Sequence, residues 1–383
     1  MSSHTPPQLS TGEVLYLFAV SLPLATAAYL YDFACRTYAA WSEGRLDGKT
    51  TKRNLATSSG SLMTLFTLRQ LQYIMRQTSG DGVRAFAKKN NLALRSVPLT
   101  DADTDGFGPA TLHLLALPNE GSSNGSGLTL LYFHGGAFVI PLGNPGPAHT
   151  IAQHMGARQL AVLEYSLAPA AKYPTQLAQA VAALRHLVTA KGIAFHNIAV
   201  SGDSAGGNIT LALLAHLQSP HPRIRPLPVP AGQRLRGALV ISARTRNEPT
   251  RLSHTENESK DMLSKASMAL IAGAWKPVPG EVWAAPDIGD KAFWEGLPVE
   301  HVLLAAGADE IYRDDIIHTA EMMGAVNVSE CASQKKKSEP IVELIVCPGE
   351  VHAQSIVDLG MGIKDGIMAN AALRWADELK ESA

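Results

Sequence analysis

The stretch IAVSGDSAGGNI, residues 198–209, leaves an apolar run through a Gly-x-Ser-x-Gly spacing and enters a helix-like pattern. A sharp turn of that kind presents a serine hydroxyl at the end of a strand, and here the serine is Ser204. A hydroxyl is a weak nucleophile until a base removes its proton, and the base is usually a histidine held by a carboxylate. Both follow in the chain order serine, acid, histidine. The apolar run 300–307 leads into Asp309 and Glu310, and the run 341–347 leads into a loop carrying His352. The same Gly-x-Ser-x-Gly spacing recurs at Gly121–Gly125, within NEGSSNGSG. No apolar run precedes that copy, so it reads as a flexible loop.

Attack on a carbonyl also requires donors for the developing oxyanion. LYFHGGAFV, residues 131–139, ends an apolar run in Gly135 and Gly136, where the backbone can approach a bound carbonyl closely. A third donor is the N–H of Ala205, at the start of the helix after Ser204, where the helix dipole favours negative charge.

These residues need a scaffold that delivers strand ends to one place. Short apolar runs at 110–117, 128–133, 159–166, 197–202, 235–242, 300–307 and 341–347 read as strands. Helical patterns at 175–190, 205–217 and 363–379 alternate with them. Alternation of this kind predicts an α/β fold with a mostly parallel sheet covered on both faces, in which ligands gather at the carboxyl ends of the strands. An amphipathic helix over 61–77 precedes the first strand. A proline-rich loop at 219–232 leads to the strand 235–242, and the irregular tract 244–295, with a helical piece at 264–275, suits an inserted lid. The domain reading is an N-terminal extension over 1–53 and one catalytic-type domain over 54–383, with cap elements at about 54–90 and 244–295.

Taken together, the chain resembles the hormone-sensitive-lipase-like branch of the α/β-hydrolases, marked by His-Gly-Gly-Gly and Gly-Asp-Ser-Ala-Gly-Gly. His134-Gly135-Gly136-Ala137 and Gly202-Asp203-Ser204-Ala205-Gly206-Gly207 stand in those places. The resemblance covers roughly residues 55–380. It implies an α/β-hydrolase fold with a helical cap, a serine carboxylesterase or deacetylase cleaving small to medium acyl esters, and no cofactor. It further implies that His134 shapes the oxyanion loop and that Asp203 orients it. The family's Asp-Pro-Leu-Arg-Asp aligns with Glu310-Ile311-Tyr312-Arg313-Asp314, which makes Glu310 the acid opposite His352, with Asp309 adjacent as the alternative. Other departures are Ala137 for a third glycine, and Ser166 and Ala170 for an arginine and a glutamate, so that an ion pair is absent. Ser242-Ala243-Arg244 replaces Ser-Pro-Trp and sets a positive charge near the acyl side. An acyltransferase or cyclase on the same three residues, and a non-catalytic ligand-binding relative, are the alternative readings.

Composition fits a globular protein. The 383 residues are 46% hydrophobic and 17% charged, with a net charge of −1 that offers no field for nucleic acid. Lys335–Lys337 reads as a solvated loop, and the partner expected is a small-molecule ester. Cys35, Cys331 and Cys347 show no metal or disulfide spacing, so no metal and reduced thiols are expected, with Cys347 a buried small hydrophobe. Residues 14–31, VLYLFAVSLPLATAAYLY, are uncharged and near the lower length for crossing a bilayer. Three readings stand: a helix packed on the protein and bent at Pro23, a membrane anchor, or a signal. Arg36, Arg45, Lys49, Lys52 and Arg53 follow the segment, so as an anchor it leaves the body on the cytoplasmic side. No Lys or Arg precedes it, which disfavours the signal.

Overall fold

The computed structural model describes residues 7–118, 127–327 and 341–381. The second Gly-x-Ser-x-Gly copy, Cys331 and Lys335–Lys337 lie outside the described residues. Nine strands form one sheet: β1 (Leu94–Leu99), β2 (Ala110–Ala116), β3 (Thr129–Phe133), β4 (Gln159–Glu164), β5 (Ile198–Asp203), β6 (Gly237–Ile241), β7 (His301–Gly307), β8 (Val326–Asn327) and β9 (Ile341–Cys347). Their order is β1-β2-β4-β3-β5-β6-β7-β9-β8. β2 runs antiparallel to β1 and β4, and every other pairing is parallel. All seven strands read from the sequence are present, within a mostly parallel sheet as expected.

Period-two alternation divides the core between the two faces of the sheet. Leu131, Phe133, Val200, Val240 and Leu304 join one apolar layer, while Leu130, Tyr132, Ala199, Leu239 and Leu303 join the other. The helices Thr175–Arg185, Ala205–Gln218 and Arg313–Met322 cover the first face, and Gly146–His154 and Ile367–Glu381 cover the second. Central strands buried on both sides carry apolar residues at nearly every position, as covered parallel sheets require.

The expected helix over 61–77 is broken. Leu62–Leu65 and Leu68–Met75 are separate pieces, because Thr67 caps the second through a reciprocal pair with Gln70. Gln72 then donates to the carbonyls of Val139 (2.9 Å) and Ala168 (2.8 Å), fastening this element to the loop after β3. From the tract 244–295 the helix Lys265–Trp275 reaches the same loop, and Trp275 stacks on Phe138 with centroids 4.1 Å apart.

At the N-terminus the residues Thr11–Ser42 form one long helical run with a π turn at Leu17–Ser21, just before Pro23. Proline lacks the N–H that an α turn would use, and the wider turn accommodates that loss. Leu17, Ser21 and Ala25 face the body, whereas Leu15, Phe18, Leu24, Leu30 and Tyr31 are exposed. The next helix, Gly48–Ser58, contains residue 53, and Arg53 pairs with buried Asp358 through Nε (2.9 Å) and Nη2 (2.5 Å).

Candidate active site

β5 ends in a sharp elbow. Ser204 has φ 54° and ψ −114°, a conformation costly for a residue with a side chain, and its N–H donates to the Ile241 carbonyl at 2.8 Å. The helix after the elbow starts so close to the end of β3 that a Cβ on Gly206 would overlap the Phe133 carbonyl. Here the glycine is required by packing.

The structure brings Ser204, His352 and Glu310 together. His352 Nε2 lies 2.9 Å from Ser204 Oγ, and His352 Nδ1 lies 3.2 Å from Glu310 Oε2. Glu310 and His352 are buried and Ser204 is partly exposed, so the chain runs from the interior to an accessible hydroxyl. Asp309 points elsewhere and pairs with Lys260 at 3.0 Å. Geometry thus separates the two acids that the sequence left open. Burial alone would lower the His352 pKa, but the hydrogen bond and charge of Glu310, with the charges of Asp261 and Asp203, outweigh it and raise the value. An imidazole so placed can take the Ser204 proton and share the resulting charge with Glu310.

A residue not singled out from sequence holds both loops. Asp261, buried in the tract 244–295, accepts from Ile311 N (2.8 Å), next to Glu310, and from His352 N (3.0 Å). Its own backbone neighbour Met262 donates to it as well, at 2.7 Å. Burial pushes its carboxyl up to about 6, helped by the Glu310 charge and opposed by His352 and these N–H donors. The polar stretch ENESKD gave no periodic signal that would have marked this carboxylate. Ser242 completes the support, since its Oγ accepts from Ala353 N at 2.9 Å.

The oxyanion loop packs on Asp203 at the end of β5. From sequence, Gly135, Gly136 and Ala205 are the expected donors. Tyr132 Oη donates to the buried Asp203 carboxylate at 2.5 Å, and a Cβ on Gly135 would strike the same group. The glycine is therefore needed for close approach to Asp203. Gly136 follows with φ 100°, and Ala137 and Phe138 continue at 59° and 61°, so three successive residues of positive φ turn the loop. His134 is fully buried, stacks on Tyr165 at 4.2 Å, and contacts Ser79 Oγ (3.2 Å) and the Gly135 carbonyl (2.6 Å). Burial lowers its pKa to about 4, so it is neutral and holds the loop.

Where the absent ion pair would sit, Gln179 binds Ser166 through both amide atoms, at 2.8 Å each. Cys347 is buried, and burial raises its thiol pKa. Among the described residues, His301, Glu343 and Glu378 form one cluster with ligand atoms within 4.8 Å of one another. It lies at the opposite end of β7 from Glu310, and His301 already bonds Glu343 at 2.7 Å.

Residues 130–353 match the profile of a family described as alpha/beta hydrolase fold. The chain belongs to that family. It is similar to an acetyl-hydrolase of Streptomyces hygroscopicus, 30% identical over 194 residues that cover 49% of this chain and 59% of that protein. An ethyl acetate hydrolase of Pseudomonas putida is 34% identical over 140 residues, 31% of this chain and 43% of that protein. The chain thus spans less than two thirds of either relative. A solved esterase from the bacterial hormone-sensitive lipase family matches with a TM-score of 0.58 and 22% identity, covering 80% of this chain and 92% of that one. At that identity the likeness speaks for the fold, and it agrees with the nine-stranded sheet.

Proposed function

We propose that this α/β hydrolase is a serine carboxylesterase that forms an acyl-enzyme on Ser204. The observation that carries the reading is the continuous hydrogen-bonded chain Ser204–His352–Glu310 at the carboxyl ends of β5, β9 and β7. His352 takes the hydroxyl proton as Ser204 attacks the ester carbonyl. Glu310 holds the imidazole in the tautomer that leaves Nε2 free to accept. The backbone N–H groups of Gly135, Gly136 and Ala205 supply the donors for the tetrahedral oxyanion. His352 then protonates the departing alcohol, and water, deprotonated by the same imidazole, releases the acid.

Short acyl groups fit best with the names of the two relatives, one an acetyl-hydrolase and one an ethyl acetate hydrolase. Hydrolysis of p-nitrophenyl esters from acetate to laurate tests both points. The wild type should turn over the short esters fastest, and Ser204→Ala should lose about 10⁴-fold or more in kcat. Equal rates in the two proteins would remove Ser204 from the chemistry.

The N-terminal helix supports association with a membrane through residues 14–31. An 18-residue window of Thr11–Ser42 has mean hydropathy 1.7 and only 17% of it is buried. The exposed side chains are apolar, which suits a lipid surface.

A further inference from the structure

Arg244 occupies an unusual place for a cation. It follows β6, its N–H donates to the Ser204 carbonyl at 3.2 Å, and its side chain is 1% exposed. Among the described residues none accepts a hydrogen bond from its Nε, Nη1 or Nη2. Its guanidinium rests on the face of Trp275, 5.5 Å from the ring centroid, beneath the cap. The carboxylates that act on it through space are otherwise engaged. Asp315 meets Arg251 (3.0 Å) and His254 (2.8 Å), while Glu248 is exposed to solvent. Beside the guanidinium stands Tyr312, close enough for the two groups to interact, although its buried hydroxyl makes no well-formed hydrogen bond to it or to any other described residue. The Tyr312 ring in turn packs edge-on against the imidazole of His352, at 5.5 Å.

Two buried donors that have only a poorly formed contact with each other therefore sit between the cap aromatic Trp275 and the catalytic imidazole. An unpaired buried charge is costly, and the cost is lifted when an anion supplies the missing acceptors. A carboxylate matches the planar fork of a guanidinium, which offers two parallel N–H donors, and the Tyr312 hydroxyl adds a third. A neutral acyl chain would leave these groups with only their poorly formed contact to each other. We propose that Arg244 and Tyr312 form a carboxylate-binding subsite adjoining Ser204, so that the preferred esters carry a second, anionic group. This inference rests on the esterase reading for its chemistry, whereas the subsite itself is a binding claim.

The test pairs each charged ester with a neutral counterpart of similar shape: monoethyl succinate with ethyl butyrate, monoethyl glutarate with ethyl valerate, and O-acetyllactate with 3-methyl-2-butyl acetate. Wild type is expected to favour at least one charged member by tenfold or more in kcat/KM. The ratio should collapse toward one or below in Arg244→Met and fall less in Arg244→Lys, which keeps the charge without the fork. Tyr312→Phe should lower it severalfold. A preference for the neutral member in every pair, unchanged by Arg244→Met, would overturn the subsite. Calorimetric titration of Ser204→Ala with succinate and glutarate separates binding from catalysis. Saturable binding that is weakened by salt and lost in Ser204→Ala/Arg244→Met supports the subsite even where no ester turns over, and that outcome would instead count against the esterase reading. No binding of either dicarboxylate, together with no charged-ester preference, rejects the subsite while leaving neutral-ester hydrolysis intact.

Discussion

Glu310 and Asp309 are neighbours in sequence with opposite surroundings, one buried against His352 and the other paired with Lys260 near solvent. Glu310→Gln should therefore cost about 10³–10⁴-fold in kcat, because the amide can neither hold the tautomer nor share the imidazolium charge. Asp309→Asn removes only a surface pair and should stay within about twofold. Both are read from steady-state kinetics on p-nitrophenyl acetate. The same pair sets the pH response. The neutral imidazole is the active base, so kcat/KM should fall as pH drops through the raised pKa of His352. The acid limb is expected above the ordinary histidine value near 6.5 and should move to lower pH in Glu310→Gln. At this scale the sequence was informative about Ser204 and His352, since each follows an apolar run that can only be a strand. It could not choose between two adjacent carboxylates, because their difference lies in burial and partners. Gly135 shows a similar limit: the glycine pair was visible, but the buried Asp203 carboxylate that leaves no room for a Cβ there was not.

At the scale of elements, the tract 244–295 is more than a lid. Asp261 ties it to the N–H groups beside Glu310 and of His352, and Arg36 of the N-terminal helix grips the carbonyls of Lys260 (2.5 Å) and Asp261 (3.2 Å). Asp261→Asn would turn one of its acceptor oxygens into a donor facing N–H groups. Leaving such a group unsatisfied costs about 1–3 kcal/mol, measurable by urea unfolding. Displacement of His352 should further lower kcat by about 10- to 100-fold with little change in KM. Retention of full activity and stability would show that the two loops hold themselves. Strands and their order of use were legible here, because seven apolar runs alternate with helical patterns. The edge strand β1, with Arg95 and Pro98 in LRSVPL, and the helix Arg313–Met322, with its paired acids, lack a clean apolar period and went unrecognised.

For the whole molecule, the sheet carries the site and the N-terminal helix carries the question of place. The helix is fixed to the body by the narrow stripe Leu17, Ser21 and Ala25 and by Arg36, which leaves its other face apolar and open. On cell fractionation the full chain should sediment with membranes. Replacing exposed Leu15, Phe18, Leu24 and Leu30 by serine should release it while leaving ester hydrolysis in place, since these side chains face solvent and not the core that holds the site. Release of the unaltered chain by buffer alone would point to a helix that covers another protein surface.

Ester cleavage by this protein requires Ser204 to be an activated nucleophile, and its covalent trapping tests that most directly. The full chain would be treated with a fluorophosphonate at neutral pH, digested, and mapped by mass spectrometry. A single adduct on the peptide bearing Ser204, formed quickly in wild type and suppressed in both Ser204→Ala and Glu310→Gln, is the predicted result. A wild-type protein that stays unlabelled, or carries the adduct on another residue, would contradict it.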